Sequence, residues 1–243
     1  SIDYSAFDGG KFLCSGSEDK TVRVWDLDTN KQRQLFSGHL RSVNCVKFSP
    51  YYYHNHNRTV ICSSSNDQTI RFWDIDNNNK PFKTLGQHDD GVCGIEFSSF
   101  SSGRYLCSGS GDSTVRLWDV ETSKSLHVFS EHTNWVWCVD FSPLQSNNND
   151  KSNNIGVIGG NGYTFCSGSN DHTIRVWDIE KTKQSIVFRG HRNHVNSVKY
   201  QPYQSGISGG ANTILSGSAD RHVCLWDARS GQLIQIAVEY PQF

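Results

Sequence analysis

Several sets of residues in this chain could do chemistry. His88, Ser108 and Asp112 are the residue types of a serine hydrolase: a nucleophile, a base to take its proton, and a carboxylate to orient the base. The same types recur as His39, Ser63 and Asp67, as His132, Ser167 and Asp171, and as His191, Ser216 and Asp220. Ser15 and Asp19 form a further set whose histidine would precede residue 1. Eight cysteines could form disulfides or hold a metal. His54 and His56, in a tyrosine-rich stretch expected to be a loop, could be two ligands of a metal ion. Trp135 and Trp137 place two indoles at i and i+2.

Repetition decides between these readings. Residues 108–119 read SGSGDSTVRLWD, and residues 15–26, 63–74, 167–178 and 216–227 are copies of them. The tryptophans, Trp25, Trp73, Trp118, Trp177 and Trp226, lie 48, 45, 59 and 49 residues apart. A recurrence at that period sets the fold. A nucleophile needs one exposed, activated copy rather than four or five equivalents, and no G-x-S-x-G elbow is present. We therefore read the chain as non-enzymatic.

The cysteines fall into line in the same way. Cys14, Cys62, Cys107 and Cys166 each stand eleven residues before a repeat tryptophan, where the fifth copy has Leu215. Cys45 and Cys138 share another slot, six residues after a recurring histidine. Exchange with leucine points to buried free thiols, and so to a reducing intracellular compartment, cytoplasm or nucleus. There is no C-x-x-C pair, and we expect no metal and no cofactor. Asn57-Arg58-Thr59 matches a glycosylation sequon that would be inert there.

These residues need elements to hold them. At 243 residues, with 12% aromatic content, abundant glycine and five prolines, the chain suits one large all-β domain of short strands and tight turns. The second repeat reads as strands over residues 43–48, 60–64, 69–74 and 81–85, with Asn66-Asp67 turning a hairpin between the middle two. Other repeats follow suit. Residues 2–7 are expected as the first strand, residues 135–141 as the first strand of repeat four, and residues 233–238 as the last. Residues 143–162 and 205–211 are expected as insertions, rich in Asn, Ser and Gly. A net charge of −1 without like-charge runs argues against nucleic acid as a partner, and no apolar run is long enough for a membrane helix. No small-molecule substrate is expected. Arg23, Arg71, Arg116 and Arg175, two residues before their tryptophans, are expected to pair with strand acids or neighbouring repeats.

Four strands per unit, a period near 45 residues and the Gly-His…Trp-Asp signature resemble the WD40 β-propeller family, across nearly the whole chain. The resemblance implies a single domain, residues 1–243, with about five four-stranded antiparallel blades: 1–37, 38–86, 87–130, 131–189 and 190–243. A fragment of a larger, seven-bladed ring is expected over a closed five-bladed one. It further implies a buried hydrogen-bonded tetrad in each blade: His39, Ser63, Asp67 and Trp73; His88, Ser108, Asp112 and Trp118; His132, Ser167, Asp171 and Trp177; His191, Ser216, Asp220 and Trp226; and an incomplete set, Ser15, Asp19 and Trp25. Gln87 and Glu131 stand where Gly38 and Gly190 precede their histidines.

Function should then lie where the repeats differ. The family's docking positions map onto Ser42, Asn44 and Asn66; Gly91, Cys93 and Gly111; Trp135, Trp137 and Asn170; and His194, Asn196 and Ala219. Counting back from Phe7 adds Asp3, beside Glu18. We expect Trp135, Trp137, Asn44, Asn66, Asn170, His194 and Asn196 to meet protein or peptide partners, with the two indoles as aromatic anchor. Residues 132–143 resemble the equivalent strand in a propeller subunit of histone-methyltransferase complexes that reads arginine-containing peptides. The implied function is a protein-interaction scaffold, with a peptide reader of a chromatin complex or the substrate-recognition module of a ubiquitin ligase as alternatives.

Overall fold

The computed structural model describes residues 1–7, 9–77, 79–143, 163–201 and 213–237. The expected loop at 205–211 lies outside these residues, as does all of the expected insertion at 143–162 but Pro143. The described residues form five four-stranded antiparallel sheets, each a run of consecutive strands. Sheet one holds β1 (Ile2–Tyr4), β2 (Phe12–Gly16), β3 (Thr21–Asp26) and β4 (Lys31–Ser37). Sheet two holds β5 (Val43–Phe48), β6 (Val60–Ser65), β7 (Ile70–Asp74) and β8 (Lys83–Leu85). Sheet three holds β9 (Val92–Phe97), β10 (Tyr105–Ser110), β11 (Val115–Asp119) and β12 (Lys124–Phe129). Sheet four holds β13 (Val136–Phe141), β14 (Thr164–Ser169), β15 (Thr173–Asp178) and β16 (Lys183–Arg189). Sheet five holds β17 (Val195–Tyr200), β18 (Thr213–Ser218), β19 (Val223–Asp227) and β20 (Leu233–Ala237). The chain groups into two compact units: Ser1–Asp112 with Arg116–Leu126, and Ser113–Val115 with His127–Phe243.

Alternation along each strand supplies the core. In the first unit Cys14, Val22, Val24 and Phe36 of sheet one pack with Val43, Val46, Ile61 and Trp73 of sheet two. Cys62, Ile70, Phe72 and Leu85 of sheet two pack with Val92, Ile95, Leu106 and Trp118 of sheet three. The second unit repeats the pattern: Cys166, Ile174 and Phe188 pack with Val195, Val198, Ile214 and Trp226. An outer-strand aromatic stands on the following tryptophan, with Phe36 5.2 Å from Trp73 and Phe188 5.4 Å from Trp226. In sheets one and four the glycine of the Ser-Gly-Ser run lets a valine of the next sheet approach closely. A Cβ on Gly16 would sit 2.6 Å from Val43 Cγ1, and one on Gly168 2.7 Å from Val195 Cγ1. The cysteine slot is buried in the first four sheets, but Leu215 in the fifth is 48% exposed, contrary to expectation. In sheets one, two and four that slot packs against the next sheet of the same unit, and among the described residues no sheet follows the fifth.

The aspartate of each Trp-Asp pair caps the next turn. Asp26, Asp119, Asp178 and Asp227 accept the backbone N–H of Thr29, Glu121, Lys181 and Arg229 at 3.0, 2.9, 2.9 and 2.7 Å. The same turn places Asn30, Ser123, Thr182 and Gly231 at φ of 55°, 61°, 50° and 74°. A β-branched side chain is strained there, whereas asparagine tolerates it. Thr182→Asn is therefore expected to stabilise the protein by about 1 kcal/mol, read as a melting midpoint raised by about 2–4 °C. An unchanged or lowered midpoint would contradict it.

One element departs from the all-β expectation. Residues Pro50–His56 form α1, opened by Pro50 and closed by Asn57 at φ 51°. Tyr51 and Tyr52 are buried, with Tyr52 against Phe72 and Phe82. The aromatic-rich stretch between β5 and β6 is thus a packed helix rather than a loop.

Candidate functional site

The four complete sets of sequence-related residues converge as hydrogen-bonded tetrads. In sheet two, Trp73 Nε1 donates to Ser63 Oγ at 2.7 Å, Ser63 Oγ lies 2.8 Å from His39 Nε2, and His39 Nδ1 lies 2.8 Å from Asp67 Oδ2. The same three distances are 2.8, 2.7 and 2.7 Å for Trp118, Ser108, His88 and Asp112. They are 2.8, 2.8 and 2.7 Å for Trp177, Ser167, His132 and Asp171. They are 2.7, 2.7 and 2.8 Å for Trp226, Ser216, His191 and Asp220. One direction of donation satisfies every member: indole N–H to serine oxygen, hydroxyl to Nε2, Nδ1–H to carboxylate. The incomplete set keeps the Trp25 Nε1 to Ser15 Oγ bond at 3.2 Å, and Asp19 lies exposed.

This geometry is that of a brace. The four serine residues are fully buried or nearly so, and each oxygen already receives an indole proton. Burial would raise the Asp67 carboxyl, but hydrogen bonds from His39, Thr69 and Leu40 outweigh it and hold the group well below the usual carboxylate range. The Asp171 and Asp220 carboxyls are held low in the same manner. Burial pushes the His132 imidazole below its ordinary value, against the pull of Asp171.

The expected docking positions share a different device. In four sheets the inner strand carries a one-residue bulge, between Val43 and Cys45, Val136 and Cys138, Val195 and Ser197, and opposite the Gly109–Ser110 step. The extra residues are Asn44, Trp137, Asn196 and Cys93. A bulge re-aims its side chain out of the strand's alternation, which gives these positions a physical reason to differ between repeats.

Their surroundings differ sharply. Asn44 Nδ2 donates to Asn66 Oδ1 at 2.7 Å and to the Val92 carbonyl at 2.9 Å, and a Cβ on Gly91 would meet Asn66 Oδ1 at 2.7 Å. Asn44 and Asn66 therefore tie sheets two and three together. Trp135 is 36% exposed and its ring centroid lies 5.4 Å from that of Trp137, so both indoles do share one side. Trp137 Nε1 donates to Asn170 Oδ1, and Asn170 N–H donates to the Trp135 carbonyl at 2.8 Å. His194 is half-buried with its ring 5.8 Å from His172, and Asn196 is exposed.

Other expectations need correction. Tyr4, not Phe7, occupies the register of Phe48: Tyr4 pairs with Leu13 as Phe48 pairs with Ile61. Asp3 thus aligns with Lys47 rather than Asn44. Its carboxylate accepts the Phe48 N–H at 2.8 Å, so it is a sheet-to-sheet contact rather than a docking position. Glu18 is exposed beside the tetrad aspartate position. Arg23 and Arg71 reach the tetrad aspartates of their own hairpins, with Arg23 Nη2 3.1 Å from Asp19 and Arg71 Nη2 3.7 Å from Asp67, whereas Arg175 donates to Gln184 Oε1 and the Arg116 guanidinium stands by the Trp118 ring. His54 and His56 stand two apart on a helix and turn to different neighbours, Phe7 and Tyr53 for one, Tyr51 and Tyr52 for the other. Among the described residues no three His, Cys, Asp or Glu side chains are grouped to hold a metal. All eight cysteines are free; burial pushes the Cys14, Cys62, Cys107 and Cys166 thiols well up, which leaves them inert. No helix is long and apolar enough to cross a membrane among the described residues.

A family model described as WD domain, G-beta repeat matches residues 5–26, 30–74, 79–119, 123–178 and 182–227. The chain is also similar to the nuclear distribution protein nudF of Aspergillus terreus, 33% identical over 240 residues, covering 93% of this chain and 49% of that protein. It is 30% identical over 246 residues to the nuclear distribution protein PAC1 of Coccidioides posadasii, covering 93% and 48% respectively. The chain spans about half the length of these relatives.

Proposed function

The chain belongs to the WD domain, G-beta repeat family, and on that premise we propose that it is a non-enzymatic protein-interaction scaffold whose docking edge carries Trp135 and Trp137. One observation supports this edge above the others. At the bulge position the sibling sheets carry Asn44, Cys93 and Asn196, none of them aromatic, so the fold does not require an indole there. Two adjacent, partly exposed indoles offer a large rigid contact area at low entropic cost, which suits a hot spot. His194, Asn196 and Asn170 extend the edge with polar groups. Partners are proteins or peptides, met inside the cell. The relatives' names make nuclear distribution the first setting in which to look.

Trp137→Ala should keep the far-UV circular dichroism and melting midpoint of a folded protein while losing its partners in affinity purification of the full-length protein. Trp135→Ala should weaken them more modestly. A folded Trp137→Ala protein that retains every partner would remove the indole pair from the docking edge.

A further inference from the structure

Four copies of the repeat carry an arginine two residues before the tryptophan, and the fifth carries Cys224. Strand register makes this a structural correspondence. Arg23 pairs with Ser15, Arg71 with Ser63, Arg175 with Ser167 and Cys224 with Ser216. A second change accompanies it: Thr21, Thr69, Thr114 and Thr173 give way to His222.

The other sheets show where the guanidinium goes. Arg71 Nη1 donates to the Gly38 carbonyl at 2.8 Å, and its Nη2 lies 3.7 Å from Asp67. Arg23 Nη2 lies 3.1 Å from Asp19, and Arg175 Nη2 4.0 Å from Asp171. The Arg116 guanidinium lies 6.0 Å from the Trp118 ring centroid. Taken over the four sheets, the guanidinium meets three fixtures: the tetrad carboxylate in sheets one, two and four, the carbonyl before the histidine in sheet two, and the tryptophan ring in sheet three. In sheet four it also donates to Gln184 Oε1.

Sheet five keeps all three fixtures without the arginine. Asp220, Gly190 and Trp226 line a cavity of about 310 Å³ with His191, Arg192, His222, Cys224, Leu233 and Ile236. Gly190 approaches Trp226 as Gly38 approaches Trp73, with an added Cβ 3.0 Å from Cη2 in both. Asp67 and Asp171 each accept a threonine hydroxyl at 2.6 Å, which His222 does not supply to Asp220. Asp220 Oδ1 takes the His222 backbone N–H at 2.9 Å, as Asp67 and Asp171 take those of Thr69 and Thr173, and the His222 ring Nδ1 lies 3.4 Å from it.

We propose that this cavity is a guanidinium subsite, which accepts an arginine side chain of a bound partner and so completes from outside what Arg71 and Arg175 supply from within. The chemistry fits a planar cation: a carboxylate, a carbonyl and an aromatic face in one recess. The neighbouring Cys224, His222 and Asp220 do not make a nucleophilic site, because burial and the Asp220 charge push the thiol up. Arg192 on the wall opposes a cationic guest by its like charge and would favour an anion, so the effect of Arg192→Gln tells the two kinds of site apart.

The test is a titration of the protein with methylguanidinium, followed by the Trp226 indole cross-peak in proton–nitrogen spectra. A saturable shift with a Kd of about a millimolar is expected for so small a fragment. Methylammonium should bind several-fold more weakly, and acetyl-arginine amide should compete with methylguanidinium. Arg192→Gln should tighten binding about threefold. Cys224→Arg should abolish the shift by filling the cavity from within. If that variant does not fold, the wild-type comparison of the two cations still decides. Trp137→Ala should leave the shift intact, so failure here is distinct from failure of the docking edge. Equal binding of methylammonium, no saturable shift, acetate binding that Arg192→Gln removes, or acetyl-arginine amide that does not compete would each overturn the proposal.

Discussion

Asp67→Ala is expected to destabilise the protein by about 3–5 kcal/mol, a large part of the stability of a typical domain. The Asp67 side chain is 3% exposed. It accepts from His39 Nδ1 at 2.8 Å, Leu40 N–H at 2.9 Å, Thr69 N–H at 3.1 Å and Thr69 Oγ1 at 2.6 Å. Alanine leaves these donors in a buried space without an acceptor, and each unsatisfied group costs about 1–3 kcal/mol. It also frees the His39 ring, so the serine and indole further along lose their orientation. Asp19→Ala is the internal control. Asp19 has the same place in its repeat, the same threonine and arginine contacts, but no histidine and an exposed carboxylate. Urea unfolding should show a much smaller change for Asp19→Ala. Equal losses for the two would mean that the tetrad does not brace the sheets.

The tetrads were legible in the sequence because they repeat. Five aligned copies separate framework from exception, and the hydrogen bonds follow the alignment in the four sheets that have a histidine. Sheet one misled where that anchor was missing. Without a histidine to count from, Phe7 looks like the counterpart of Phe48, whereas the chain turns after Tyr4 and Ser5 N–H already bonds Phe12 at 2.8 Å. Residues 50–56 misled for a different reason. Tyrosine-rich sequence favours strands on propensity, but Pro50 starts a helix and burial of Tyr51 and Tyr52 holds it. The bulges were not legible, since an extra residue in one strand shows only when its partner is known. They explain why docking positions can vary freely: a bulged residue leaves the ladder and its side chain is released from the strand's alternation. Cys224 was legible in principle. Among the cysteines it is one of eight; among the arginines it is the exception, and the cavity lies where the exception falls.

Acid is expected to unfold this protein in two steps, the second the larger. His132 has its folded pKa pushed below the ordinary 6.5. Between the folded and unfolded values the unfolded chain binds more protons, so stability rises with pH in that window. This contribution is complete above about pH 6.5 and is lost as pH falls toward the folded value. Asp67, Asp171 and Asp220 have folded values well below the ordinary 3.8. Their contribution is complete above that value and is lost as pH falls below it. Each proton taken up by the unfolded state alone can cost at most about 1.4 kcal/mol per pH unit, and three carboxylates make the lower step steeper than the one from His132. Urea midpoints measured from pH 8 to pH 3 should be level down to about pH 7, decline gently through 6 and 5, and drop steeply below 4. His132→Gln should lessen the gentle decline and leave the part of the steep one that Asp67 and Asp220 carry. A midpoint that holds constant from pH 7 to 3, or rises on acidification, would mean that these groups are not held in the protonation states the tetrads require.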